Sequence, residues 1–116
     1  MKAQVLYDRY EEVSKPQLKK GWVLVKVKAV GVCGSDIPRI YKTGAHVHPL
    51  IPGHEFSGQV VNIYDESSAE WQGKRVGIFP LIPCGKCVPC HKKQYEMCKD
   101  YNYLGSRCDG GFAEYV

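Results

Sequence analysis

The sequence predicts a mainly β fold, a small β-barrel or sandwich interrupted by short helical turns. Apolar and polar residues alternate over short runs. In "WVLVKVKAVGV", Val23, Val25, Val27 and Ala29 fall on one face and Leu24, Lys26, Lys28 and Val30 on the other. Twelve Gly and seven Pro among 116 residues favour many turns over long helices. Four of the six cysteines crowd into "PCGKCVPCHKKQYEMC", a spacing suited to a lobe stiffened by a metal.

Taken in chain order, "KAQVLY" reads as a strand and "WVLVKVKAVGV" as a longer, half-buried one. "SDIPRIYKTG" holds one helical turn, capped by Ser35 or Asp36, with Pro38 near its start. "YKTGAHVHPLIPG" is a loop. "EFSGQVVNIY" is a strand in which Val60 and Val61 face opposite ways and Gly58 marks a bend or bulge. "DESSAEWQG" is a polar turn, and "KRVGIF" and "GGFAEYV" are two further strands. The chain stops at Val116 inside that last strand, as expected of a piece of a longer protein.

With 44% hydrophobic and 24% charged residues, the composition fits one small domain. Such a domain buries a modest share of its surface, so a metal or partner would add stability. A formal net charge of +4 is too mild to argue for nucleic acid. There is no apolar run of about 18 residues to span a membrane. "MKAQVLYDRYEEV" lacks the apolar core and cleavage site of a signal peptide. The expectation is therefore a cytoplasmic protein, a setting in which clustered cysteines hold metal more often than disulfides. No G-x-G-x-x-G occurs, since "GVCGSD" and "GSRCDGGF" have other spacings.

Cys84, Cys87, Cys90 and Cys98 follow C-x2-C-x2-C-x7-C. Zinc takes four thiolates at tetrahedral corners, and a two-residue gap lets one turn present two sulfurs to one ion. Gly85 and Pro89 suit such reversals. Disulfides and an iron–sulfur cluster are the alternatives. His91, Lys92, Lys93 and Lys99 add positive charge, but no helix follows to enter a nucleic-acid groove, so the pattern reads as a closed structural site. A second set is quieter. Cys33 in "GVCGSD" and His54–Glu55 in "PGHEFSG" offer a thiolate, an imidazole and a carboxylate, the donor mix of a catalytic zinc with an open position. Taken singly, each has an ordinary reading: a small buried hydrophobe, a hydrogen-bonded loop residue, a surface charge.

"GVCGSD", then "PGHEFSGQV" after 20 intervening residues between Cys33 and His54, then "PCGKCVPCHKKQYEMC" and "DGGFAEYV", together resemble the zinc-dependent medium-chain alcohol and polyol dehydrogenases. The resemblance covers nearly the whole chain. It implies that residues 1–116 are the N-terminal, GroES-like part of a catalytic domain, an irregular, partly open β-barrel whose residues 80–100 form a structural zinc lobe. It implies one catalytic and one structural zinc. Cys33 and His54 match ligands of the catalytic zinc, and Glu55 matches the adjacent carboxylate that ligates it directly, through water, or by exchange. Ser35 matches the hydroxyl that takes the substrate's proton, and Asp36 the carboxylate that orients the ligating histidine. Cys84, Cys87, Cys90 and Cys98 match the structural site, and Cys108 is left over as a spare thiol. In that family zinc lowers the pKa of an alcohol and hydride passes to a nicotinamide cofactor. NAD would bind a Rossmann domain outside these residues. The full-length enzyme would be a homo-oligomer acting on a small molecule, without nucleic acid or membrane.

Two positions depart from the usual pattern. Pro38 stands where many polyol relatives carry a histidine that ends the proton relay, so water or another group would finish it. Arg39 stands where sorbitol-type enzymes often carry an aromatic residue. "GSDIPRI…GAH" looks most like the galactitol-1-phosphate 5-dehydrogenase branch. A guanidinium can grip phosphate by a two-pronged fork, so Arg39 with Lys42 is expected to recognise a phosphorylated polyol, the other reading being two surface charges. Sorbitol (L-iditol) and threonine dehydrogenases are the alternatives within the family. A non-catalytic zinc-binding interaction module, using only the four-cysteine lobe, is the alternative outside it.

Overall fold

The computed structural model describes residues 1–6 and 10–116. Its long alternating segment forms β3 (Val23–Gly31), which pairs antiparallel with β4 (Glu55–Ile63), itself paired with β5 (Arg75–Gly77). At the N-terminus β1 (Lys2–Gln4) pairs antiparallel with β2 (Tyr10–Glu12). β1 is shorter than "KAQVLY": Val5 and Leu6 are buried beyond its end, and Tyr7 lies outside the described residues.

The expected face of β3 holds only to Val27. Val25 is buried and Lys26 exposed, yet Ala29 and Val30 are both exposed. A register shift between Val27 and Ala29 also leaves Lys28 without a partner on β4. Gly58 therefore serves differently from expectation. It pairs with Val27 beside that shift, and a Cβ there would run into the Lys26 carbonyl and the Val25 side chain. Glycine permits a close approach of two strands here, while the bulge itself lies on β3.

"GGFAEYV" is not the regular strand its pattern suggests. It makes isolated bridges, Ala113 to Ala3 and Tyr115 to Lys26. Gln4 N donates to Phe112 O at 2.8 Å, Val27 N to Glu114 O at 2.9 Å and Val25 N to Val116 O at 2.8 Å. The segment leaves one sheet and joins another, so it ties β1 to β3 without a sustained ladder. The barrel is accordingly open: three small sheets, two of them linked by this tie. Ala3, Val5 and Ile51 pack beneath it with Met1, Val13, Phe112 and Ala113. The same stretch positions the loop that leads into β4. Gly110 N donates to Ile51 O, Gly111 N to Gly53 O and Phe112 N to Pro52 O, at 2.8, 2.8 and 3.0 Å. A Cβ on Gly110 would overlap the Gly53 carbonyl, so glycine lets the two backbones touch.

The polar turn is more ordered than its composition suggests. Glu66–Trp71 winds as a 3-10 helix because Asp65 caps it, accepting from Ser67 N at 3.0 Å. Two strands of two residues each, β6 (Leu81–Ile82) and β7 (Asn102–Tyr103), pair at the neck of the cysteine lobe. Strands this short show no periodicity. Inside the lobe are one turn of helix, α2 (Val88–His91), with Pro89 at its start, and a 3-10 turn, Tyr95–Met97. The expected turn after Cys33 is α1 (Asp36–Pro38), which continues as a wider π-turn over Arg39–Thr43. No helix of the described residues is long and apolar enough to cross a membrane.

Candidate metal centres

The four-cysteine lobe is assembled by local turns. Cys84 precedes a reversal at Gly85, Cys87 precedes α2, Cys90 lies within α2 and Cys98 follows the 3-10 turn. Cys84 Sγ lies 4.0 Å from Cys90 Sγ, and Cys87 Sγ lies 3.9 Å from Cys98 Sγ. Tetrahedral zinc with bonds of about 2.3 Å places its sulfurs about 3.8 Å apart. All four sulfurs lie within 4.8 Å of one another, so spacing and donor chemistry both fit zinc. Backbone N–H groups, that of Lys99 foremost, hold the Cys87 thiol down to about 6. Burial pushes Cys90 up to about 12, with the neighbouring thiols adding to it. Cys108 stands apart from this cluster, and burial pushes its thiol up as well, which suits an unreactive spare cysteine.

The second centre is assembled by strand pairing. Gly31 and Glu55 are the last pair of the β3–β4 ladder, so Cys33, two residues past β3, meets His54, one residue before β4. One donor atom each from Cys33, His54 and Glu55 lie within 4.8 Å of one another, His54 buried and Glu55 exposed. The set fits a metal that keeps an open side.

Asp36 supports both Cys33 and His54 from behind. It is wholly buried. Its Oδ2 accepts from Cys33 N at 3.0 Å, while Asp36 N donates to Cys33 O at 2.9 Å, fixing the turn that presents the thiol. Its Oδ1 lies 3.5 Å from His54 Nδ1, within ion-pair reach but outside hydrogen-bond geometry. That places Nε2 on the far side of the ring for a metal. The carboxylate thus turns back on Cys33, and Ser35 makes no side-chain cap either: its Oγ donates to Cys33 Sγ at 3.3 Å.

Arg39 is engaged, not loose: Nη1 donates to Asp36 Oδ1 at 2.9 Å. Arg39 also lines a small pocket of about 310 Å³ beside Ser35, together with Thr43 and His46. Lys42 is exposed and is not part of that lining. A residue with no signal in the sequence joins the centre as well. Tyr103, on β7, meets the His54 ring edge-on at 5.9 Å between centroids, and so joins the neck of the cysteine lobe to the second centre.

Comparison with known proteins finds relatives over most of the chain. The galactitol 1-phosphate 5-dehydrogenase of Escherichia coli (strain K12) is 45% identical over 102 residues, covering 87% of this chain and 30% of that protein. An L-threonine 3-dehydrogenase of Bacillus licheniformis is 39% identical over 112 residues, covering 92% of this chain and 32% of that one. The crystal structure of galactitol-1-phosphate dehydrogenase from Escherichia coli superposes with a TM-score of 0.88 at 43% identity, covering all of this chain and 35% of that one. The chain thus spans about a third of the length of these relatives. The family model described as the alcohol dehydrogenase GroES-like domain matches residues 19–116, and the chain belongs to that family.

Proposed function

We propose that residues 1–116 are the N-terminal, GroES-like part of the catalytic domain of a zinc-dependent oxidoreductase. It transfers hydride from a polyol or polyol phosphate, galactitol 1-phosphate foremost, to NAD bound elsewhere in the full-length protein. The observation that carries this is the convergence of Cys33, His54 and Glu55 with Asp36 behind them. A binding module built on the four-cysteine lobe has no use for such a second, open centre. The 45% identity to a galactitol 1-phosphate 5-dehydrogenase supports the substrate. The threonine dehydrogenase at 39% keeps amino-alcohol substrates as a competing choice, and similarity to sorbitol dehydrogenases keeps sorbitol as another.

In this reading Cys84, Cys87, Cys90 and Cys98 hold a structural zinc within residues 80–100, and Cys33, His54 and Glu55 hold a catalytic one. A zinc there supplies Lewis acidity, which lowers the pKa of an alcohol. Asp36 fixes the tautomer and orientation of His54. Ser35, exposed and bonded to Cys33 Sγ, takes the alcohol's proton and passes it to water, because Pro38 offers no side-chain acceptor. Arg39 binds the substrate's phosphate, and Lys42, which does not line the Arg39 pocket, adds positive charge on the same turn. The full-length protein works in the cytoplasm as a homo-oligomer.

The test is zinc content per subunit of the full-length protein, with NAD reduction measured across polyols, polyol phosphates and threonine. Two zincs per subunit and turnover of a polyol phosphate are expected. One zinc with no turnover of any alcohol would overturn the reading. Arg39→Ala should raise KM for galactitol 1-phosphate far more than for sorbitol, and equal effects on both would remove phosphate recognition.

A further inference from the structure

Asp36 Oδ1 faces two donors and satisfies one. Arg39 Nη1 donates to it at 2.9 Å, while His54 Nδ1, at 3.5 Å, is the buried side-chain polar atom among the described residues that lacks a hydrogen-bond partner. The carboxylate cannot turn to offer its other oxygen, because Oδ2 is held by Cys33 N. Arg39 is not sealed in: its side chain is 17% exposed and lines the pocket beside Ser35, with Thr43 and His46 on the same wall.

We infer that Arg39 is an exchangeable partner of Asp36: a metal on Cys33 and His54 draws Asp36 Oδ1 onto His54 Nδ1, and the guanidinium passes to an anionic substrate group in the pocket beside Ser35. The inference rests on the reading of Cys33 and His54 as metal ligands. A metal on one imidazole nitrogen makes the opposite N–H a stronger donor, which favours His54 in the contest for Oδ1. A dication a few ångströms away also repels the guanidinium. Once off Asp36, Arg39 keeps a planar fork of donors suited to phosphate or sulfate. Metal and anion are thus linked through Arg39. Linkage is reciprocal, so an anion that takes Arg39 must tighten metal binding. Removing Arg39 must tighten it too, whereas an arginine that merely props up the fold would weaken metal binding when lost.

The experiment titrates the full-length protein with Co²⁺, following its visible absorption, with the four-cysteine centre already filled and serving as internal control. Titrations run in sodium sulfate and in sodium chloride at equal ionic strength. Wild type should bind Co²⁺ at the Cys33–His54 centre on the order of fivefold more tightly in sulfate. Arg39→Ala should bind at least that much more tightly in chloride and show no sulfate effect. Arg39→Gln should behave likewise and replaces it if the alanine variant does not fold. Equal or weaker Co²⁺ binding by these variants overturns the inference, as does a wild type indifferent to sulfate. A wild type with no second Co²⁺ site overturns both this and the metal reading. If only uncharged alcohols are turned over while the cobalt results hold, the phosphorylated substrate falls and the exchange stands.

Discussion

The four-cysteine lobe draws its ligands from 15 consecutive residues, Cys84 to Cys98, whereas the second centre joins Cys33 to His54 across 20 intervening residues. Turns and a single helical turn suffice for the first, because each ligand is placed by the residues beside it. The second depends on the β3–β4 register, on the Gly110–Phe112 backbone that holds the loop before His54, and on a buried Asp36. The donor sets differ to match. Four thiols close a coordination sphere, while one thiol, one imidazole and an exposed carboxylate leave it open. Local assembly gives a robust clamp, and long-range assembly gives a centre that a shift in one strand can disable. The two meet at Tyr103, where the neck of the lobe touches His54.

The sharpest separation comes from removing one ligand of each. Cys90→Ser should cost one zinc per chain and more than about 4 kcal/mol of stability, since loss of a structural metal is among the most damaging single changes. Metal analysis and thermal melting check this, and unchanged stability would show that the lobe does not depend on its metal. His54→Ala should leave the lobe's zinc in place and lower turnover about a thousandfold, the equivalent of roughly 4 kcal/mol of lost Lewis-acid assistance. Retention of more than a tenth of the activity would place the chemistry elsewhere.

Gly58→Ala tests the register directly. Its methyl group collides with the Lys26 carbonyl and the Val25 side chain, so a loss of about 1–3 kcal/mol is expected. Metal affinity should fall at the Cys33–His54 centre and not at the lobe, and a parallel fall at both would mean that they fold as one unit. The mildest test is pH. Metal must displace every thiol proton, so zinc affinity at the lobe falls as pH drops, by about tenfold per unit for each proton displaced. Cys90, pushed up to about 12, contributes throughout the working range. Cys87, held at about 6, is already a thiolate above that pH and adds to the slope only below it. A chelator-competition series through pH 6 should therefore steepen on the acid side, and a constant slope would show that Cys87 is not set apart from its neighbours.

Much of this was open to a reader of the residues alone. The meeting of "GVCGSD" and "PGHEFSG" was legible only as part of a family resemblance, whereas the cysteine spacing and the alternation in β3 and β4 are short-range signals that appear in the structure as a cluster able to hold a metal and as strands. Such patterns work because turns and pleats are decided by neighbouring residues. Where contacts come from far along the chain, the residues were silent or misleading. "GGFAEYV" has a strand's pattern but divides its hydrogen bonds between β1 and β3. β6 and β7 are too short to show a period. Tyr103 meets His54 from β7, far along the chain. Arg39 reads from the sequence as a phosphate contact or a surface charge, and only the structure shows that the buried Asp36 holds it. By itself the sequence determined which side chains can bind metal and which stretches extend. Only the tertiary structure decided which distant partners each one meets, because burial and pairing between remote segments set that choice.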